Sequence, residues 1–308
     1  MKDDPPDSGG PPSHDDGGGT EPVAAGGRPT GGERDPAVAG RFYARSEDEL
    51  REQIEECLHH EYGPGVADGD GDDLPHAVVS PHAGYPFSGP VAAHAFVTLA
   101  AEDVDTAVVI GPNHEGIGTA AAVAPHDRWR TPLGTVPIDD DLATTFVEDS
   151  DVARFDGKTH AGEHSIEVQL PFLQHCLDDV TVVPVCLTRL GRDRAEQLGR
   201  DIAGAIERID REAVVVSSTD LTHYEPHERA VSADEPVIEA IEALDVDSIE
   251  RAVTEEGHSM CGPWATVAGL VAARERGATE GERLQYVTSG QTEGRRDQVV
   301  GYCSAALY

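Results

Sequence analysis

Lysine is nearly absent from this sequence, which contains only Lys2 and Lys158. Even with arginine included, 23 basic residues face 58 acidic ones, a formal net charge of −35 over 308 residues. No basic stripe exists to neutralise phosphates, which disfavours nucleic-acid binding. Long apolar runs are missing too. None approaches the roughly 18 residues needed to span a bilayer, and the opening Met1-Lys2-Asp3-Asp4 lacks the apolar segment of a secretory signal. Paired cysteines are also lacking. The five, at 57, 176, 186, 261 and 303, are scattered, odd in number and without a CxxC pair. That argues against a disulfide framework and fits a reducing cytoplasm.

The acidity is not a property of one tail. Residues 1–35 carry eight acids against three bases, so −30 of the −35 lies on the rest of the chain. A surface this acidic and lysine-poor suits a high-salt cytosol, where the Debye length falls to about 3 Å at 1 M and self-repulsion is screened.

Residues 1–35 also hold 15 Gly or Pro and almost nothing large and apolar. They cannot offset their chain entropy by burial, which predicts a disordered acidic tail followed by one domain over 36–308. Ser46 and Glu49 form a capping box, and Leu50, Ile54 and Leu58 share one face, so 46–62 reads as a helix. Gly63-Pro64 stops it, and the Gly/Asp-rich 65–75 reads as a surface loop. Further helices are expected at 90–101, 139–149, from Gly162 toward Cys176, and at 192–209, 234–244, 246–255 and 264–276. Strands are expected at 76–79, 106–110, 119–124, 180–187, 213–218, 284–289 and 298–307, with a turn at 130–134 leading into a short one. The alternation predicts an α/β fold, a single domain with a central, largely buried β-sheet flanked by helices.

Three of these strands end alike. The run to Val79 is followed by Ser80-Pro81-His82-Ala83-Gly84-Tyr85, where Pro81 cannot extend a ladder and Gly84 admits unusual backbone angles. The run to Ile110 is followed by Gly111-Pro112-Asn113-His114, and the run to Val216 by Ser217-Ser218-Thr219-Asp220-Leu221-Thr222-His223. Open α/β sheets bind ligands beyond the carboxyl ends of their strands, so the matched His82 and His114 suggest a metal site.

These motifs, with Glu163-His164-Ser165-Ile166-Glu167, Met260-Cys261-Gly262-Pro263, the opening Ala39-Gly40-Arg41-Phe42-Tyr43 and the Arg130-Thr131-Pro132-Leu133-Gly134 turn, resemble the Memo family (mediator of cell motility). The likeness spans about 36–308 with the motifs in order. It implies a fold similar to the class III extradiol dioxygenases, which hold Fe(II) with two histidines and a glutamate. By that likeness His82, His114 and Cys261 are the metal ligands, His223 a catalytic acid/base and Asp220 the acid beside it. Tyr85, His164 and Glu167 are expected to line the cleft. The resemblance also implies a functional link to a radical-SAM enzyme.

Two imidazoles and a thiolate leave coordination positions open for a ligand. The thiolate is softer than the carboxylate it replaces, which counts against catechol ring cleavage. Fe(II) is the expected cofactor, with Cu or Zn as alternatives, and the expected activity is redox chemistry on a small molecule. A second reading is a module binding a peptide or small ligand in the same pocket. A third is a zinc hydrolase, for which Glu163 or Glu167 would have to act as base.

Overall fold

The structure, a computed structural model, describes residues 31–65, 74–100, 104–188, 190–292 and 294–308. The expected tail up to residue 30, and 66–73 of the expected loop, lie outside the described residues.

The chain opens with β1 (Glu33–Arg34) and α1 (Glu47–His59), then β2 (Ala77–Ser80), α2 (Tyr85–Val97) and β3 (Thr106–Pro112). Next come β4 (Ala121–Val123), the hairpin β5 (Arg128–Thr131) and β6 (Gly134–Pro137), α3 (Asp140–Asp149), β7 (Arg154–Phe155) and the single turn α4 (Gly157–His160). They lead to α5 (Leu170–Cys176), β8 (Thr181–Leu187), α6 (Arg192–Ile209), β9 (Ala213–Ser218) and β10 (His223–Glu225). Helices α7 (His227–Glu242), α8 (Val246–Thr254) and α9 (Pro263–Glu275) precede β11 (Gly281–Thr288), the turn α10 (Ser289–Thr292) and β12 (Val299–Leu307).

Nine strands form one mixed sheet in the order β10-β12-β2-β9-β3-β8-β4-β7, with β11 also paired to β12. Its centre, β2-β9-β3-β8, is parallel, and the registers Ser80–Ser218 and Ile110–Ser217 bring β2, β9 and β3 to an end at one edge of the sheet. Every residue of β2, β3 and β9 is buried, as a sheet covered on both faces requires. Helix α9 packs over β2, β3 and β9, and α6 packs on α9. The close approach needs glycine: a Cβ on Gly269 would stand 1.9 Å from Ser217 Oγ. Tyr85, Phe172 and Phe96 stack in the core, with centroids 4.7 and 5.4 Å apart.

Four local expectations change. Arg34, assigned to the disordered tail, belongs to β1, which pairs in parallel with β5. Helix α2 begins at Tyr85 rather than Pro90; Pro90 forfeits one helical hydrogen bond, and burial of most of the helix offsets it. Helix α7 begins at His227 and carries Pro236 within it. No helix opens at Gly162, because the Glu163 carboxylate accepts the N–H groups of His164 (2.8 Å) and Ser165 (2.9 Å). Helical structure starts at Glu167, with one tight turn to Gln169 that continues into α5. Among the described residues, no helix is long and apolar enough to cross a membrane.

Candidate metal centre

His82, His114 and His164 converge beyond the carboxyl ends of the central strands, with one nitrogen from each lying within 4.8 Å of the others. Ring centroids are 5.2 Å apart for His82 and His114, 5.5 Å for His82 and His164, and 4.5 Å for His114 and His164. Sequence reasoning paired His82 with His114 but took His164 only as a lining residue. The signal for His164 lay in the Glu163-His164 pair itself.

The tautomer of His82 follows from its partners. Ser218 Oγ donates to Ser165 O (2.7 Å) and receives Gln169 Nε2–H (2.9 Å), so toward His82 it can only accept. His82 Nδ1 therefore donates to Ser218 Oγ (2.8 Å), leaving the Nε2 lone pair free. Full burial, with His114 and His164 beside it, holds the His82 pKa well below the usual 6.5, so the ring is neutral. Ser218 stands in the strand-end motif but with no role assigned to it there, and Gln169 carried no signal in the sequence.

His114 is fixed by Glu163, whose Oε1 accepts Nδ1–H (2.9 Å) and whose Oε2 accepts the backbone N–H (2.5 Å). Burial opposes charge on His114, but the Glu163 hydrogen bond and charge outweigh it and raise its pKa. Glu163 moves the other way: burial favours its neutral form, yet the bonds and charge of His114 hold its pKa well down. For His164, burial wins over the attraction of Glu163 and lowers its pKa to about 4.

Cys261 is not one of that mutually close group but touches His82, with Sγ 3.1 Å from Nε2, and accepts Asp220 N–H at 3.2 Å. Burial, then the charge of Asp220, pushes its thiol pKa up, so the proton stays on sulfur and points to the His82 lone pair. The proton sits between two atoms that are candidate ligands. Two neutral imidazoles, an acid-paired third and a thiol that can shed a proton suit a divalent ion, whose binding is a proton displacement. The remaining cysteines 57, 186 and 303 are buried and Cys176 half-buried, apart from this cluster.

Asp220 is buried and accepts the His82 backbone N–H at 2.8 Å. Burial raises its pKa to about 6, with that N–H working against the rise. It steadies the His82 turn rather than orienting His223. The His223 ring is held instead by Ser259, its Nδ1 donating to Ser259 O at 3.0 Å. Two expected lining residues lie elsewhere. Tyr85 heads α2 with its ring turned inward, 2% exposed, and its hydroxyl donates to Val168 O at 2.8 Å. Glu167 is buried in an ion pair with Arg34 (2.7 Å) and also accepts Tyr43 OH and the N–H groups of Ala37 and Val38. With Glu163 also committed, neither acid is available as a hydrolytic base.

The cluster opens into a cavity of about 500 Å³ whose wall includes His82, His114, His164, Asp220 and His223. A second cavity, about 600 Å³, reaches His114 from the side of Cys261, Met260 and Trp264.

The model of the Memo-like protein family matches residues 34–306. A MEMO1 family protein of Methanopyrus kandleri is 48% identical over 276 residues, covering 88% of this chain and 98% of the relative. One of Methanothermobacter thermautotrophicus is 42% identical over 271 residues, 87% of this chain and 98% of the relative. A third, from Ignicoccus hospitalis, is 41% identical over 276 residues, with 88% and 97% covered.

Proposed function

Because the chain belongs to the Memo family, we propose that it is a metal-dependent redox protein of the dioxygenase-like kind, acting on a small molecule. The supporting observation is the convergence of His82, His114 and His164 beside the Cys261 thiol at the mouth of a cavity. His82 and His114 would hold the ion through Nε2, with His164 or Cys261 as the third ligand. When bound, Fe(II) would supply a redox-active Lewis acid, and Cu or Zn would be weaker candidates.

The protein groups have separable tasks. Ser218 and Glu163 fix the tautomers of His82 and His114 and aim their lone pairs. His223, with Nδ1 committed to Ser259, keeps Nε2 to move a proton to or from a bound ligand. Asp220 braces the His82 turn. A working place in a salt-rich cytosol, and a partnership with a radical-SAM enzyme, belong to the same reading; the first is supported by the charge of −35.

Tag-free protein purified without oxygen should carry close to one equivalent of iron by elemental analysis. His82→Ala should lose it, and comparison of His164→Ala with Cys261→Ala should identify the third ligand. Equal metal content in wild type and His82→Ala would defeat the proposal. A metal-free protein that binds a ligand tightly would favour the binding-module reading, for which the open cavity is the supporting feature.

A further inference from the structure

Among the described residues lining the imidazole cavity, Arg41 is the only Lys or Arg. Of the 19 arginines among the described residues, 11 pair with carboxylates, as Arg34 does with Glu167 and Arg283 with Glu235. Arg41 forms no ion pair among the described residues. It nevertheless lies close enough to disfavour charge on His164. The only acid in that wall is Asp220, buried beneath it and bonded to His82 N–H.

The same wall is lined with aromatic surface. Of the three exposed large hydrophobics among the described residues, two rim this cavity: Phe87, 38% exposed, and Tyr224, 72% exposed. Tyr224 has φ +60°, a left-handed conformation that costs a non-glycine residue free energy and here follows directly on His223. Tyr224 lies at the register shift between His223 and Glu225 where β10 pairs with β12, and this bulge leaves its ring exposed at the cavity mouth. Phe42, next to Arg41, adds a half-buried ring that tilts against His164 at 4.4 Å.

We infer that the ligand of this cavity is a small aromatic carboxylate, its ring held between Phe42, Phe87 and Tyr224 and its carboxylate paired with Arg41. The inference rests on the reading above for the location of the site, not for the identity of the metal. A planar guanidinium can take a carboxylate through two parallel hydrogen bonds, which fixes the orientation of the ring relative to the imidazoles. Remote acids on the surface oppose an anion weakly, since charges beyond about 8 Å are screened at physiological ionic strength.

The test uses 3-phenylpropanoate and its neutral isostere 3-phenylpropanamide, titrated calorimetrically into the full-length protein, both metal-free and iron-loaded. The acid should bind about tenfold more tightly than the amide in both forms. Arg41→Leu should remove that preference while leaving amide affinity and metal content unchanged; Arg41→Lys should restore part of it. Tyr224→Ala should weaken acid and amide alike. Equal affinity for the two probes, or binding of neither, overturns the inference. So does a preference that survives Arg41→Leu but vanishes on removing the metal; that result would assign the carboxylate to the ion and leave the metal reading standing.

Discussion

The Glu163 carboxylate receives four N–H groups: the ring and backbone of His114 and the backbones of His164 and Ser165. Two candidate ligands thus take their positions from a residue that need not touch the ion. Glu163→Gln keeps the size but turns a donor toward N–H groups that need an acceptor. Metal affinity should fall roughly 10- to 100-fold, the usual cost of losing such a partner, as measured by competition with a chelating dye. The pH profile should move as well. In wild type the raised pKa of His114 means that protons compete with metal already above pH 6.5, and binding weakens as pH falls. Without the Glu163 charge that pKa drops, so the competition begins at lower pH even though binding is weaker throughout. An unchanged affinity with an unchanged profile would remove Glu163 from this role.

At the scale of elements, the two-residue strand β1 positions Arg34, which ties distant segments together. Its guanidinium donates to His160 O (2.7 Å), Glu163 O (2.9 Å) and Glu167 Oε2 (2.7 Å), and lies 4.0 Å from the Trp129 ring centroid. Arg34→Met would leave the Glu167 carboxylate buried without its cation, at a cost of about 3–5 kcal/mol. Denaturant titration should show that loss, with weaker metal binding because the Glu163 carbonyl is also released. A chain begun at Pro36 should be destabilised equally, and one begun at Gly31 should not. Equal stability of all three would sink the argument. Composition averages over a window and cannot single out one residue within it. A glycine- and proline-rich window hides one arginine whose partners lie about 130 residues away, so ordered chain reaches back past the expected boundary at 36. Strand ends were legible because Pro81 and Pro112 interrupt runs of buried Val, Ala and Ile, and helix α6 was legible because Arg192–Ile209 has one clear apolar face. Tyr85 and Glu167 turn away from the cleft for one reason: which way a side chain turns depends on where its helix starts, and tertiary contacts such as Tyr85 N–H to Phe42 O set those starts.

Over the whole molecule, the imbalance of 58 acids against 23 bases sets the sign of the salt response. Exposed ion pairs such as Arg51–Glu47 and Arg295–Asp297 contribute little and are weakened by salt. With 58 acids against 23 bases, most of the charge is of one sign, and its mutual repulsion rises when the chain becomes compact. Shortening the Debye length from about 10 Å at 0.1 M to about 3 Å at 1 M removes more repulsion than attraction. The buried Arg34–Glu167 pair is out of reach of that screening. Melting temperature should therefore climb by about 5–10 °C between 0.1 and 1 M KCl, with about 2–4 °C per kcal/mol regained. Potassium chloride is the right salt for this measurement, since sulfate would also strengthen apolar burial and blur the cause. A flat or falling curve would mean that the acids are spaced widely enough not to repel, and the case for a salt-rich working environment would fall with it.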